Sequence, residues 1–253
     1  MTAPLHASDT GSGSAIVLLH AFPLDGRMWD EQRAALSRHA RVIIPDLRGF
    51  GRSARGLDVP SLDDHADDVA ALLDRLDVER ATVVGLSMGG YVALSFASRH
   101  RRRLARLALC DTRAAADTPE GRAGRDANIA LVEREGLAPL VERLLPNLLG
   151  PAASPGLVDQ VRALANEQSG ASVSAALLSM RDRPDRTALL PTLSLPATVI
   201  IGASDAIVPV AEARAMAALL PDAVVEVIAR AGHLANLEAP GAFTASLTKL
   251  LAR

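Results

Sequence analysis

Short apolar runs alternate with longer amphipathic stretches through the first part of the chain. Residues 15–19, 41–44, 81–85 and 104–110 are mostly apolar and short, the pattern of strands buried on both faces. Residues 29–38, 62–76 and 88–99 lie between them and read as helices. Ser61 supplies an N-cap for the second, with Asp63 and Asp64 in its first turn, where negative charge is favoured. The basic run 99–103 follows the third, where positive charge suits the C-terminal end of a helix. Strand alternating with helix predicts an α/β fold, a mostly parallel central sheet with helices on both faces.

The alternation then stops. Residues 113–195 carry helical periodicity interrupted by Pro, Gly and Ser, and no convincing strand. Strand patterns return at 197–201 and 223–228, with a helix over 211–220 between them and another from about Ala242. The simplest organisation is one core built from 1–112 and 196–253, interrupted by a helical insertion over 113–195. Such an insertion follows a strand end, so it is expected to sit as a lid over the crevice where open α/β sheets bind ligands. No internal repeat divides the chain.

Composition narrows the function classes. The chain has 253 residues, 49% apolar and 22% charged, with a formal net charge of −2. That content fits a folded domain, and the near-neutral charge gives no general attraction to nucleic acid or to an anionic membrane. No apolar run reaches the ~18 residues of a membrane span, and Met1 to Ser14 has neither the basic start nor the apolar stretch of a signal peptide. Cys110 is the only cysteine, which fits a reducing, cytoplasmic compartment. Lys249 is the only lysine, so basic charge is almost all arginine. Aromatic residues are 2%, too few for a stacking platform.

Gly85-Leu86-Ser87-Met88-Gly89 follows a strand run and opens a helix. This is G-x-S-x-G in the context that gives it meaning: glycines permit a very sharp turn that pushes the serine out at the top of the sheet. A serine hydroxyl needs a base to become a nucleophile. Of His6, His20, His39, His65, His100 and His233, only His233 follows the last strand in a loop at the same sheet edge as Ser87. The base needs an orienting carboxylate. Asp205, beyond the strand at 197–201, gives the chain order Ser87, Asp205, His233; Asp111, just past Cys110, is the rival acid. Oxyanion donors are expected from the backbone N–H of Met88, directly after the serine, and of Phe22, in the turn after the first buried strand. Pro23 has no N–H, which excludes the next position. His20 is expected to orient that turn by hydrogen bonding.

These residues together resemble the α/β-hydrolase superfamily over nearly the whole chain. The segments that carry the likeness are His20 to Leu24, Asp46 to Ser53, Gly85 to Gly90, Asp205 to Pro209 and Gly232 to Pro240, in the family's order. Ala21 stands where the family usually has glycine, and the family's initial hairpin looks shortened to the stretch Pro4 to Ser14. Leu109 to Arg113 and Met180 to Asp185 resemble the lid-bearing branch of 3-oxoadipate enol-lactonases, small esterases and cofactor-free haloperoxidase/perhydrolase-type enzymes. The resemblance implies a serine hydrolase that cleaves a small carboxylic ester or lactone through an acyl-enzyme. Enol-lactone, carbon–carbon and peracid chemistry, and a small-molecule receptor on a hydrolase scaffold, are alternatives on the same machinery. Haloalkane dehalogenases and epoxide hydrolases use an aspartate nucleophile, whereas this elbow holds Ser87.

No metal or organic cofactor is implied, because no ligand cluster has metal spacing. The expected partner is a small-molecule substrate, and a homo-oligomer is compatible with the sequence. Arg113, Arg122, Arg125, Arg181 and Arg183 are candidates to read a substrate carboxylate, against the blander reading of solvated helix residues. Trp29 either lines the pocket or packs the first helix. Gly49 to Ala54 formally fits the dinucleotide pattern G-x-G-x-x-A, but three residues separate it from the strand and no helix opens after it. The cluster 99–103 is a weak nucleic-acid candidate, since five basic groups at a helix end are usually solvated.

Overall fold

The computed structural model describes residues 3–56 and 58–253, so the readings of Met1 to Ser14 and of Ala54 to Pro60 are followed without Met1, Thr2 and Leu57. Seven strands form one sheet. They are β1 (Ala7–Thr10), β2 (Ala15–Leu19), β3 (Arg41–Pro45), β4 (Ala81–Leu86), β5 (Leu104–Cys110), β6 (Ala197–Gly202) and β7 (Ala223–Ile228), in the order β1-β3-β2-β4-β5-β6-β7. All neighbours are parallel except β1, which runs antiparallel to β3 with Ala7 opposite Pro45. The N-terminal stretch is therefore a single edge strand on β3, and no hairpin joins it to β2. Its sequence, Ala-Ser-Asp-Thr, carries no apolar alternation because three of its four residues are only half-buried and Asp9 is exposed.

Every residue of β2, β4 and β6 is buried. Their side chains alternate between two cores. Val17 and Leu19 point to the layer of α2 (Leu62–Arg75) and α3 (Met88–Arg99). Ile16 and Leu18 point to the opposite layer, which holds Trp29 and Phe243. On that face α1 (Asp30–Leu36), preceded by a 3₁₀ turn over Gly26–Trp29, packs against α10 (Pro240–Leu251). Burying one such aliphatic side chain contributes about 1.5–3 kcal/mol, which is why these strands are apolar apart from Thr82 in β4 and Thr198 in β6.

Ser61 caps α2 as the sequence predicts. Its hydroxyl accepts from the Asp64 N–H, and the Asp64 carboxylate accepts from the Ser61 N–H at 2.8 Å. The basic run after α3 is engaged within the chain: Arg99 donates to Asp67, His100 meets Asp67 at 2.7 Å, and Arg103 donates to Asp74 and to the Val78 and Glu79 carbonyls. The glycine-rich turn after β3 opens no helix. The Gly51 N–H donates to Gln168 and the Arg52 N–H to Asp46, so the donors a phosphate would need are already taken.

Four helices stand between β5 and β6: α4 (Pro119–Glu135), α5 (Leu137–Leu148), α6 (Pro155–Asn166) and α7 (Gly170–Arg181). Thr118 and Ser154 cap α4 and α6, each followed by proline at the first helical position, where no N–H is missed. Arg183 ties the two ends of the insertion together. Its guanidinium donates to the Ala115 and Met180 carbonyls, pairs with Asp117 at 2.7 Å, and lies 4.2 Å from the ring centre of Tyr91 on α3. The remaining helices are α8 (Val210–Ala218) and the one-turn α9 (Ala235–Glu238). Among the described residues no helix is long and apolar enough to cross a membrane.

His65, on α2, is buried, and burial aided by the nearby Arg48 charge pushes its imidazole down to about 3. The unfolded chain takes up that proton near pH ~6.5, so between the two values the unfolded state binds more protons and stability rises with pH. Acidification from pH ~6.5 should therefore destabilise the fold with a slope approaching about 1.4 kcal/mol per pH unit from this group. Urea midpoints at neutral and mildly acidic pH check this; His65→Leu should show a shallower loss than the parent chain.

Candidate active site

The order of the sheet reverses at β2. The chain steps outward to β3, returns to β4 on the other side, and then proceeds through β5, β6 and β7. Ligands bind open α/β sheets at such a switch point, beyond the carboxyl ends of the strands. Leu19 of β2 lies opposite Gly85 of β4, so the turn after β2 and the turn after β4 leave the sheet side by side. The ends of β5, β6 and β7 follow on the same edge.

Ser87 occupies the turn from β4 to α3 with φ 54° and ψ −113°, a conformation that L residues rarely adopt. The surroundings impose it. The Ser87 N–H donates to the Cys110 carbonyl at 2.9 Å, and the Ser87 carbonyl accepts from the Thr112 hydroxyl at 2.8 Å and the Gly90 N–H at 2.9 Å. Glycine is required on either side. A Cβ at Gly85 would strike the Gly89 carbonyl, and one at Gly89 would strike the Leu19 carbonyl. The turn therefore packs directly onto β2 backbone.

His233 and Asp205 reach Ser87 from the next loops. His233 Nε2 lies 2.8 Å from Ser87 Oγ, and its Nδ1 lies 2.9 Å from Asp205 Oδ2. The His233 side chain is 2% exposed and that of Asp205 is 0% exposed. The other Asp205 oxygen accepts from the N–H groups of Ile207 at 2.7 Å and Val208 at 3.0 Å, which fixes the carboxylate from behind. With Nδ1 donating to the carboxylate, Nε2 is left to accept the serine proton.

The turn after β2 is held by its own histidine. His20 Nδ1 donates to the Ala21 carbonyl at 3.0 Å, and Nε2 accepts from the Leu47 N–H at 3.0 Å. Both ring nitrogens are used and burial lowers the imidazole below its ordinary range, so His20 stays neutral. The Phe50 ring packs edge-on against His20 and Phe22. The Phe22–Pro23 peptide is cis. Among the described residues neither the Phe22 nor the Met88 N–H has a hydrogen-bond partner, which leaves both available at the mouth of the turn.

The other predicted site residues lie elsewhere in this arrangement. Trp29 is a core residue, fully buried beside Phe243 at 5.8 Å between ring centres, and does not line a pocket. Arg113 donates to the Ile207 carbonyl at 2.6 Å and sits 3.1 Å from Glu212, where it braces the loop that carries Asp205. Arg181 is held by Asp126 at 2.6 Å and Asp182 at 2.7 Å. Arg122 pairs with Asp182, and Arg125 with Asp117. The guanidinium groups proposed to read a substrate carboxylate already have carboxylates of this chain.

Sequence reasoning gave no role to Glu238. It lies five residues beyond His233 and its carboxylate accepts from two N–H groups, Gly232 at 2.8 Å and Gly150 at 2.9 Å. Gly150 belongs to the insertion, just after α5, and the Leu234 N–H donates to the Leu148 carbonyl at 3.0 Å beside it. The loop that carries His233 is thus joined to the insertion. Burial pushes the Glu238 carboxyl above its usual range, offset in part by the two N–H donors. The only sequence signal for it is an acid one helical turn beyond a loop histidine.

Comparison with known proteins agrees with this fold. A family model described as the alpha/beta hydrolase fold matches residues 14–240. The chain is 42% identical to a thermophilic esterase from Thermogutta terrifontis, with a TM-score of 0.95 over 98% of this chain and 93% of the other. It is 30% identical to the enol-lactonase from Burkholderia xenovorans LB400, with a TM-score of 0.91 over 98% and 96%. It is also 32% identical over 237 residues to the dihydrolipoyllysine-residue acetyltransferase component of the acetoin cleaving system of Pseudomonas putida, covering 90% of this chain but 60% of that relative's length.

Gly89→Ala should prevent the elbow from closing on β2. The expected outcome is loss of soluble folded protein or a strongly lowered melting temperature, checked by circular dichroism and thermal melting.

Proposed function

Because the chain belongs to the alpha/beta hydrolase fold family, and is a hydrolase like its neighbours, we propose that it cleaves small carboxylic esters or lactones by way of a covalent acyl-enzyme. Ser87 Oγ attacks the carbonyl while His233 Nε2 takes its proton. Asp205 holds the imidazole in the tautomer that presents Nε2 and stabilises the imidazolium once formed. The N–H groups of Met88 and Phe22 receive the developing oxyanion, each donor worth ~10²–10³ in turnover. The protonated His233 then delivers its proton to the leaving alkoxide. Water, deprotonated by the same imidazole, attacks the acyl-enzyme and releases the acid.

The observation that carries this proposal is the unbroken line from Ser87 Oγ through His233 to Asp205, at 2.8 and 2.9 Å. The insertion over 113–195 acts as the lid that shapes the acyl pocket, and the protein, with Cys110 as its only cysteine, works in a reducing, cytoplasmic setting. The favoured substrates carry no charge near the scissile bond. Arg113, Arg122, Arg125, Arg181 and Arg183 are all engaged by carbonyls or carboxylates of the chain, while Asp205 stands directly behind the base.

Ser87→Ala and His233→Ala should each lower turnover of a short p-nitrophenyl ester by roughly 10⁴–10⁶. Steady-state kinetics decide it: near-normal rates in either variant remove that residue from the reaction, and no turnover by the parent chain would point to a binding protein on this scaffold. A panel of matched esters, neutral and carboxylate-bearing, tests the substrate class. Higher kcat/KM for the neutral member at each chain length is expected; preference for the carboxylate-bearing one would mean that a lid arginine leaves its present partner.

A further inference from the structure

The tripeptide at the end of β5 touches the site at each of its residues. The Cys110 carbonyl receives the Ser87 N–H, and the Thr112 hydroxyl donates to the Ser87 carbonyl. Asp111, between them, is 1% exposed and held at φ 46°, outside the range comfortable for an L residue. Its N–H donates to the Ile200 carbonyl, and its Oδ1 accepts from the Gly202 N–H at 2.8 Å. Its Oδ2 is buried and has no donor directed at it. Gly202, whose N–H serves Oδ1, also accepts the Asp205 N–H through its carbonyl at 3.2 Å, so the loop that carries Asp205 leaves β6 beside Asp111 and the two carboxyls act on each other.

We propose that Asp111 is a positioning residue: a neutral carboxylic acid whose Oδ2–H donates to the Asp205 carboxylate, so that the buried pair carries one negative charge. This rests on the roles given above to Ser87, His233 and Asp205. Two carboxylates in contact, both buried, cannot both be ionised at modest cost. The choice between them is set by their partners. Asp205 faces an imidazole and accepts two backbone N–H groups, all of which favour its charged form. Asp111 has one N–H donor and no cation. The titratable groups that face it are Asp205 from the loop after β6, Glu238 from α9 and Cys110 on its own strand, none of which favours a charge there. Burial likewise pushes the Asp111 carboxyl well above the usual carboxylate range. A neutral carboxyl has one O–H to place, and Asp205 is the acceptor in reach. The consequence for the reaction is a tempered acid: Asp205 shares its charge between Asp111 and His233, so the imidazolium is stabilised without being trapped.

Infrared difference spectra of the full chain in D₂O at neutral pH, parent minus Asp111→Asn, test the proton directly. A protonated-carboxyl C=O band lost in the variant is expected; its absence overturns the proposal. Kinetics on a short p-nitrophenyl ester give the second readout. Asp111→Asn keeps an N–H donor toward Asp205 and an acceptor for Gly202, so kcat should stay within about tenfold of the parent. Asp111→Leu keeps the bulk and loses the donor. The full Asp205 charge then falls on His233, and the acid-side midpoint of kcat/KM should move up by about half to one pH unit, with kcat lowered and KM little changed. An unmoved midpoint in folded Asp111→Leu, or an Asn variant as damaged as Asp205→Asn, overturns it. Should the Leu variant not fold, the infrared band and the Asn variant still decide. If Ser87→Ala kept full activity, the proposed reaction would fall, whereas the infrared band would still report the Asp111 proton.

Discussion

Ser87 can point out of the sheet because the backbone around it is clamped from both sides. Its N–H is taken by β5, its carbonyl by Thr112 and Gly90, and its flanking glycines touch the carbonyls of Gly89 and Leu19. Positive φ at a non-glycine residue costs of order 1–3 kcal/mol, and a turn that expensive persists only where its neighbours leave no alternative. Those neighbours are consecutive strands of one parallel sheet. The strain at Ser87 is therefore held by the register of β2, β4 and β5, and the loops after β6 and β7 need only deliver an acid and a base to a point already fixed.

The two layers of groups behind the serine differ in how they are held. His233 and Asp205 are fixed by hydrogen bonds to each other and by N–H groups of the acid's own loop. Behind them stand Asp111 and Glu238, both buried enough for their carboxyls to be pushed upward. Acidic groups gathered around one imidazole would over-stabilise its charged form if all were ionised. Burial counters that tendency, so the low dielectric of the interior tempers the base as well as excluding water.

Much of this architecture was legible in the amino-acid order. The strand at 15–19 begins and ends where its apolar run does, because it is buried on both faces, and in 104–110 the one charged residue, Arg106, falls in the half-buried part of the strand. Ser87 directly follows β4, while Asp205 and His233 stand in the loops after β6 and β7, and parallel strands put all three ends on one edge. What was not legible follows from long-range packing. β1 is four half-polar residues that become a strand only because β3 offers an open edge. Trp29 gives no sign in the sequence of which side of α1 is covered; α10, some two hundred residues away, covers it. The arginines of the insertion gave no sign of all their partners, because Arg122 and Arg181 reach Asp182 and Asp126 across the packed α4 and α7, and Arg113 reaches Glu212 on α8.

Glu238 joins Gly232 to Gly150, and the backbone of Leu234 joins that of Leu148. The helical cover is thereby stitched to the imidazole-bearing loop at the far end of α5. Any outward swing of that corner would pull the base out of line with the serine, so a molecule entering there would disarm the centre it was approaching. The opposite flank is tied to the core by other groups, Ser179 donating to the Pro60 carbonyl and Arg186 to Asp63, and neither tie bears on the base. A single carboxylate thus makes one door of the roof unusable.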